Sequence, residues 1–142
     1  MGRISAVIVD DLKEARQLLR QDLVDYCPQI KVVGEAEGVV TGLKLIKEQQ
    51  PDLVFLDINM NDGSGFDLLE ILDHQAFNII FTTASDLYAI KAFKFSAVDY
   101  LLKPIDIDEL IAAVSKIEKK EGATNDNYKL LRNNIETREI TK

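Results

Sequence analysis

The chain is poor in cysteine, histidine and proline and has no tryptophan: one, one, three and none in 142 residues. A single thiol, Cys27, cannot close an internal disulfide and leaves no cysteine set for a zinc site. It stands just before Pro28 and reads as a small apolar filler, and one free thiol suits a reducing cytoplasm. His74 is the sole imidazole, at the polar end of a helical stretch. It reads as a surface residue and cannot by itself make a metal centre or a histidine relay. No apolar run is long enough to span a bilayer, and no charged-then-apolar leader opens the chain. Met1-Gly2 fails the myristoylation pattern because position 6 is Ala6. The expectation is therefore a cytoplasmic protein without membrane insertion. Positive charge is scarce too: 17 Lys and Arg stand against 24 Asp and Glu, for a net charge of −7. Nucleic-acid affinity comes mostly from neutralised phosphates, so this chain alone is a poor ligand for DNA or RNA.

What is present is an ordinary globular composition, 46% hydrophobic and 29% charged, at a length suited to one domain with a short appendage. Five short apolar runs read as strands: Ile4 to Val9, Ile30 to Val33, Leu53 to Leu56, Ile79 to Phe81 and Val98 to Leu102. Several lack polar alternation, as strands covered on both faces do. Helical spacing fills the gaps. Ala15, Leu18, Leu19 and Leu23 share a face, as do Val39, Leu43 and Ile46, then Phe66, Leu69 and Leu72. Ile107, Leu110, Ile111, Val114 and Ile117 form the cleanest stripe, opened by an Asp106/Glu109 capping pair. Strand and helix alternating five times predict an α/β fold: a flavodoxin-like (βα)5 doubly wound parallel sheet in the order 2-1-3-4-5. The expected domain runs over 1–120. Glu118 to Asn127 reads as a linker, and Tyr128 to Lys142 has too few aliphatics for a core, so 121–142 is a tail.

In a parallel sheet the carboxyl ends of all strands reach one edge, where ligands of such folds bind. There the first strand ends in Asp10-Asp11, the third in Asp57, the fourth in Thr82-Thr83-Ala84 and the fifth in Lys103-Pro104. Any one Asp alone would be a capping or solvent-facing residue, but here three carboxylates, a hydroxyl and an ammonium converge. Like charges 4 Å apart repel by about 4 kcal/mol at an effective dielectric of 20. Such a cluster needs a cation, or one carboxylate must stay protonated. All-oxygen ligation points to a hard ion, with Mg²⁺ the natural choice.

Asp10-Asp11, Leu56-Asp57-Ile58, Thr83-Ala84 and the run Tyr100 to Pro104, in this order on these strands, resemble a response-regulator receiver domain of two-component systems. The resemblance covers roughly Arg3 to Lys120, and Gly65 fits the family's glycine beyond the phosphorylated Asp. It implies that Asp57 takes a phosphoryl group from a sensor histidine kinase. It implies Mg²⁺ bound by Asp10, Asp11, Asp57 and the backbone carbonyl of Asn59. Lys103, Thr83 and the backbone of Ala84 would stabilise the phosphoryl group. Thr83 and Tyr100 would switch the surface, and Asn59 and Ser85 would tune phosphoryl lifetime. The Lys103–Pro104 bond would be cis. The domain would be a regulatory phosphoacceptor that assists its own phosphorylation and dephosphorylation, not a turnover enzyme. Where the family often has proline after the methionine that follows the site, Met60 is followed by Asn61, so the loop Asn61 to Gly65 is expected to be looser than usual.

The segment Asp86 to Ser96 reads as a helix apolar nearly all round, which marks burial or an interface. With the fifth strand and last helix it suggests a homodimer face that strengthens on phosphorylation. The runs Phe81 to Ser85, Tyr88 to Phe93 and Ala97 to Asp106 are similar to regulators of the LytTR DNA-binding type. That implies a transcription regulator whose DNA-binding domain would follow the linker and is missing here. The alternative is a stand-alone receiver acting only through protein–protein binding. A dehalogenase-type phosphatase would need an acid two residues after Asp57, where Asn59 stands. No phosphate-cradling glycine pattern follows any strand, which argues against a nucleotide site.

Overall fold

The computed structural model of the protein describes residues 3–72 and 76–117. Along the chain these form β1 (Ile4–Val9), α1 (Lys13–Tyr26), β2 (Ile30–Ala36), α2 (Val39–Gln49) and β3 (Leu53–Asp57). Then follow α3 (Gly65–Ile71), β4 (Asn78–Thr83), α4 (Ala89–Lys94), β5 (Asp99–Leu102) and α5 (Ile107–Ser115). The strands form one five-stranded sheet in the order β2-β1-β3-β4-β5, and every neighbouring pair is parallel. The expected topology is thus the one found.

Side chains alternate across a strand, so a sheet covered on both sides needs two apolar faces. Ala6, Ile8, Leu53, Phe55, Ile80 and Leu101 face Leu19 and Leu23 of α1 and Leu110 and Val114 of α5. Val7, Val9, Val54, Leu56, Ile79 and Phe81 face Val39 and Ile46 of α2 and Phe66, Leu68 and Leu69 of α3. This two-sided burial explains why the central strands read as unbroken apolar runs.

Some expectations need correction. β2 runs three residues past Val33, because Gly34, Glu35 and Ala36 go on pairing with Val7, Ile8 and Val9 after a register shift. A Cβ on Gly34 would sit 2.6 Å from Leu45 Cδ1 of α2, a contact that a turn of the Leu45 side chain can relieve. Leu18 of the first stripe is 58% exposed and Ile111 of the last is 38% exposed, since each stripe is wider than the groove its helix fills. The Asp86 to Ser96 segment holds only the six-residue α4, which buries Ala92 alone.

The loop expected to be loose is tied at several points. Asn59–Met60 and Gly63–Ser64 pair as a short antiparallel ladder. Ser64 and Asp67 cap α3 reciprocally. Asp62 accepts from the N–H groups of Val39 (2.8 Å) and Val40 (3.2 Å), joining the loop to the start of α2. His74, the expected linker from Glu118 to Asn127 and the expected tail up to Lys142 lie outside the described residues.

Candidate functional site

The sheet's carboxyl edge is where the predicted residues meet. Asp10 directly follows β1, and its N–H donates to the Ala36 carbonyl at 3.0 Å, which extends the sheet to this residue. Its side chain is buried. One carboxylate oxygen accepts from Leu12 N–H at 3.0 Å, and the other lies 2.8 Å from Lys103 Nζ. Asp57 closes β3 and is 5% exposed. Its Oδ1 accepts from Ile58 N–H at 2.8 Å, and its Oδ2 is 3.6 Å from Lys103 Nζ. Asp11 is partly exposed. One oxygen from each of the three carboxylates lies within 4.8 Å of the others.

Lys103 pairs with two of the three carboxylates, Asp10 and Asp57, and the charge deficit shows in Asp57. Its pKa is raised to about 6, first by burial and then by the Asp10 charge, with a smaller push from Asp11. Lys103 and the Ile58 N–H oppose the rise without cancelling it. A clustered all-oxygen donor set that is short of positive charge fits a hard divalent ion such as Mg²⁺.

The other strands complete the edge. Asp57 is in register with Thr82 of β4, and Thr83 with Leu102 of β5. Thr83 is buried, and its carbonyl accepts from Lys103 N–H at 2.8 Å. The Lys103–Pro104 peptide is cis. Gly65 packs against the site from below. A Cβ there would lie 2.5 Å from the Asp57 carbonyl oxygen and 2.9 Å from Leu56 Cγ, so only glycine fits.

A family model described as the response regulator receiver domain matches residues 6–115. The chain belongs to the response regulator receiver domain family. Receiver domains are regulatory phosphoacceptor domains of two-component signalling, and the family normally binds Mg²⁺. The chain is 43% identical over 115 residues to an uncharacterised response regulatory protein of Vibrio cholerae, covering 80% of this chain and 48% of that one. It is 43% identical over 118 residues to the sensory transduction protein LytT of Enterococcus faecalis, covering 82% and 48%. It thus spans about half the length of these curated relatives. Among solved structures, it resembles the response regulatory domain of mrkE from Klebsiella pneumoniae, with a TM-score of 0.73 and 29% identity over 80% of this chain and 94% of that one.

The remaining predicted residues of this receiver domain differ in burial and in what they bond. Asn59 is exposed and pairs with Ser64. Ala84 is exposed at the end of β4. Ser85 links the two expected switch residues. Its N–H donates to Thr83 Oγ1 at 3.3 Å, and its carbonyl accepts from the Tyr100 hydroxyl. Its own hydroxyl accepts from Leu87 N–H at 3.1 Å and closes a local turn. Tyr100 is half-buried, and its oxygen also accepts from Tyr88 N–H at 3.3 Å. Sequence reasoning missed two residues that hold the surroundings, Asp62 and Arg16. The two α2 N–H groups keep the Asp62 carboxyl below the usual carboxylate range, and Arg16 donates to the Asp10 carbonyl at 2.7 Å. Nothing in the sequence marks Asp62 as a cap, because the helix it caps lies 23 residues earlier. A cavity of about 340 Å³ adjoins the site, lined by Ala15, Leu18, Leu19, Pro104 and Ile105 and reaching Asp10 and Lys103.

Proposed function

We propose that Asp57 accepts a phosphoryl group from a sensor histidine kinase and that the domain's surface changes in response. The observation that carries this reading is the buried Asp57 carboxylate beside Asp10, Asp11 and Lys103. One oxygen of Asp57 would form the new bond to phosphorus as the bond to the kinase's histidine nitrogen breaks, and that nitrogen keeps the electron pair. Asp10, Asp11, Asp57 and the Asn59 carbonyl would hold Mg²⁺, which supplies positive charge against the phosphoryl oxygens. Lys103, Thr83 and the Ala84 N–H would bind those oxygens, so the chain contributes positioning and electrostatics to phosphoryl transfer. The same groups would assist hydrolysis, with Asn59 and Ser85 setting its rate. Thr83 and Tyr100 would carry the switch, and their shared neighbour Ser85 supports that reading.

The partner on one side is the kinase, for which the apolar cavity between α1 and the Pro104–Ile105 segment is a suitable seat. On the other side the reading is a homodimer through α4, β5 and α5. Leu87, Ile90 and Phe93 are each 78–81% exposed, and Leu102 of β5 and Ile111 of α5 are exposed as well. Residues 1–120 form the receiver, and 121–142 lead toward an output domain of the LytTR DNA-binding type. The extra length of the LytT relative supports such a domain.

Intact mass after incubation with acetyl phosphate tests the central step. A single phosphate adduct that requires Mg²⁺ and is lost in Asp57→Asn is the expected result. An absent adduct, under conditions where Mg²⁺ binding is seen independently, would leave a domain that signals by binding alone.

A further inference from the structure

Arg16 makes its ion pair outside the acidic cluster, with Glu35 of β2, yet it holds the chain between two members of that cluster. Its Nη1 donates to the Asp10 carbonyl at 2.7 Å, and its Nε donates to Glu35 Oε1 at 3.1 Å. The second Glu35 oxygen accepts from Arg20 at 2.6 Å, one turn further along α1. The Arg16 side chain is 15% exposed and that of Glu35 26%, so this bridge is well shielded.

The Asp10 carbonyl belongs to the peptide unit that joins Asp10 to Asp11. Its orientation sets where the Asp11 side chain leaves the backbone. The Asp10 carboxylate is aimed by Leu12 N–H and Lys103. The Asp11 carboxylate makes no hydrogen bond or ion pair with the described residues, so its direction depends on the backbone that carries it.

We propose that Arg16, oriented by Glu35, is a positioning residue for metal binding: it locks the Asp10–Asp11 peptide so that Asp11 points at the ion. The inference rests on the Mg²⁺ reading above. Arg16 and Arg20 share the one Glu35 carboxylate, so positive charge remains near the cluster; a cation there opposes Mg²⁺ binding, and weaker binding on its removal is therefore a geometric effect. Lysine keeps the charge but lacks the planar fork that reaches two acceptors at once.

Titration calorimetry with Mg²⁺ on the 142-residue chain tests it, comparing wild type with Arg16→Met, Arg16→Lys and Glu35→Gln. Urea midpoints in EDTA report the fold. Residues that orient metal ligands typically change affinity about 10- to 100-fold when removed. Arg16→Met is expected to weaken Mg²⁺ binding about tenfold or more, and Arg16→Lys to stay several-fold weak. Arg16→Met binding within twofold of wild type, or full recovery in Arg16→Lys, overturns the proposal. If Arg16→Met does not fold, the Lys and Gln variants decide: wild-type affinity in both overturns it, and weakened affinity in both supports it. A wild-type chain that binds no Mg²⁺ removes the metal reading itself, whereas normal wild-type binding with an indifferent Arg16→Met removes only the role of Arg16.

Discussion

Asp57→Asn should stabilise the metal-free protein, even though it removes the proposed acceptor. Asparagine keeps the shape and can still accept the Ile58 N–H bond at Oδ1, while Lys103 keeps its closer partner Asp10 at 2.8 Å. What disappears is a buried negative charge beside two others. The Asp57 pKa rises from 3.8 to about 6 on folding, and each unit is worth about 1.36 kcal/mol. That sets a ceiling of about 3 kcal/mol. Asp11 beside it is partly exposed, so solvent screening lowers the figure to about 1–2 kcal/mol at pH 7. The sign follows from linkage. Between the unfolded and folded pKa values the folded state binds more protons, so wild-type stability falls as pH rises through that window. The advantage of Asp57→Asn should therefore be small near pH 4, grow up to about pH 6 and level off above it. Urea unfolding in EDTA at a series of pH values measures it. Saturating Mg²⁺ should narrow or reverse the gap, because a ligand that binds only the folded wild type stabilises it by mass action. A mutant no more stable than wild type at pH 7 in EDTA, or a difference that ignores pH, would refute the argument.

Gly65→Ala forces a Cβ to within 2.5 Å of the Asp57 carbonyl oxygen. The β3–α3 junction must shift, at a cost of about 1–3 kcal/mol typical of overpacking, and thermal denaturation should show it together with weaker Mg²⁺ binding. Tyr100→Phe deletes the hydroxyl that bonds the Ser85 carbonyl and accepts from Tyr88 N–H. A loss of about 1 kcal/mol is expected, with faster amide exchange at Tyr88, and unchanged exchange would count against a link through this hydroxyl. Ile90→Ser with Phe93→Ser alters side chains that are 78% and 81% exposed. Monomer stability should hold within about 0.5 kcal/mol, while any self-association seen by light scattering with a phosphate mimic should vanish. A strict monomer for wild type at every concentration, with and without the mimic, would end the dimer reading.

The sheet and its order were legible in the sequence because period and composition leave few choices. Unbroken runs such as Leu53 to Leu56 require cover on both faces, and the apolar stripes supply the helices that provide it. The acidic edge was legible for the same reason. Once the strands are parallel, Asp10, Asp57, Thr83 and Lys103 must arrive at one end. Sequence could not show how their surroundings are held, because those contacts join residues far apart in the chain. Asp62 caps a helix that begins 23 residues before it, and Arg16 reaches Glu35 across 19 residues. The partition of apolar residues was also hidden. Leu19 and Leu18 are adjacent in sequence, but only Leu19 faces the sheet and is buried. Local pattern thus determined the elements and the chemistry they present. Tertiary packing alone decided which neighbours aim that chemistry and which apolar side chains stay exposed, since both depend on distances that no local spacing encodes.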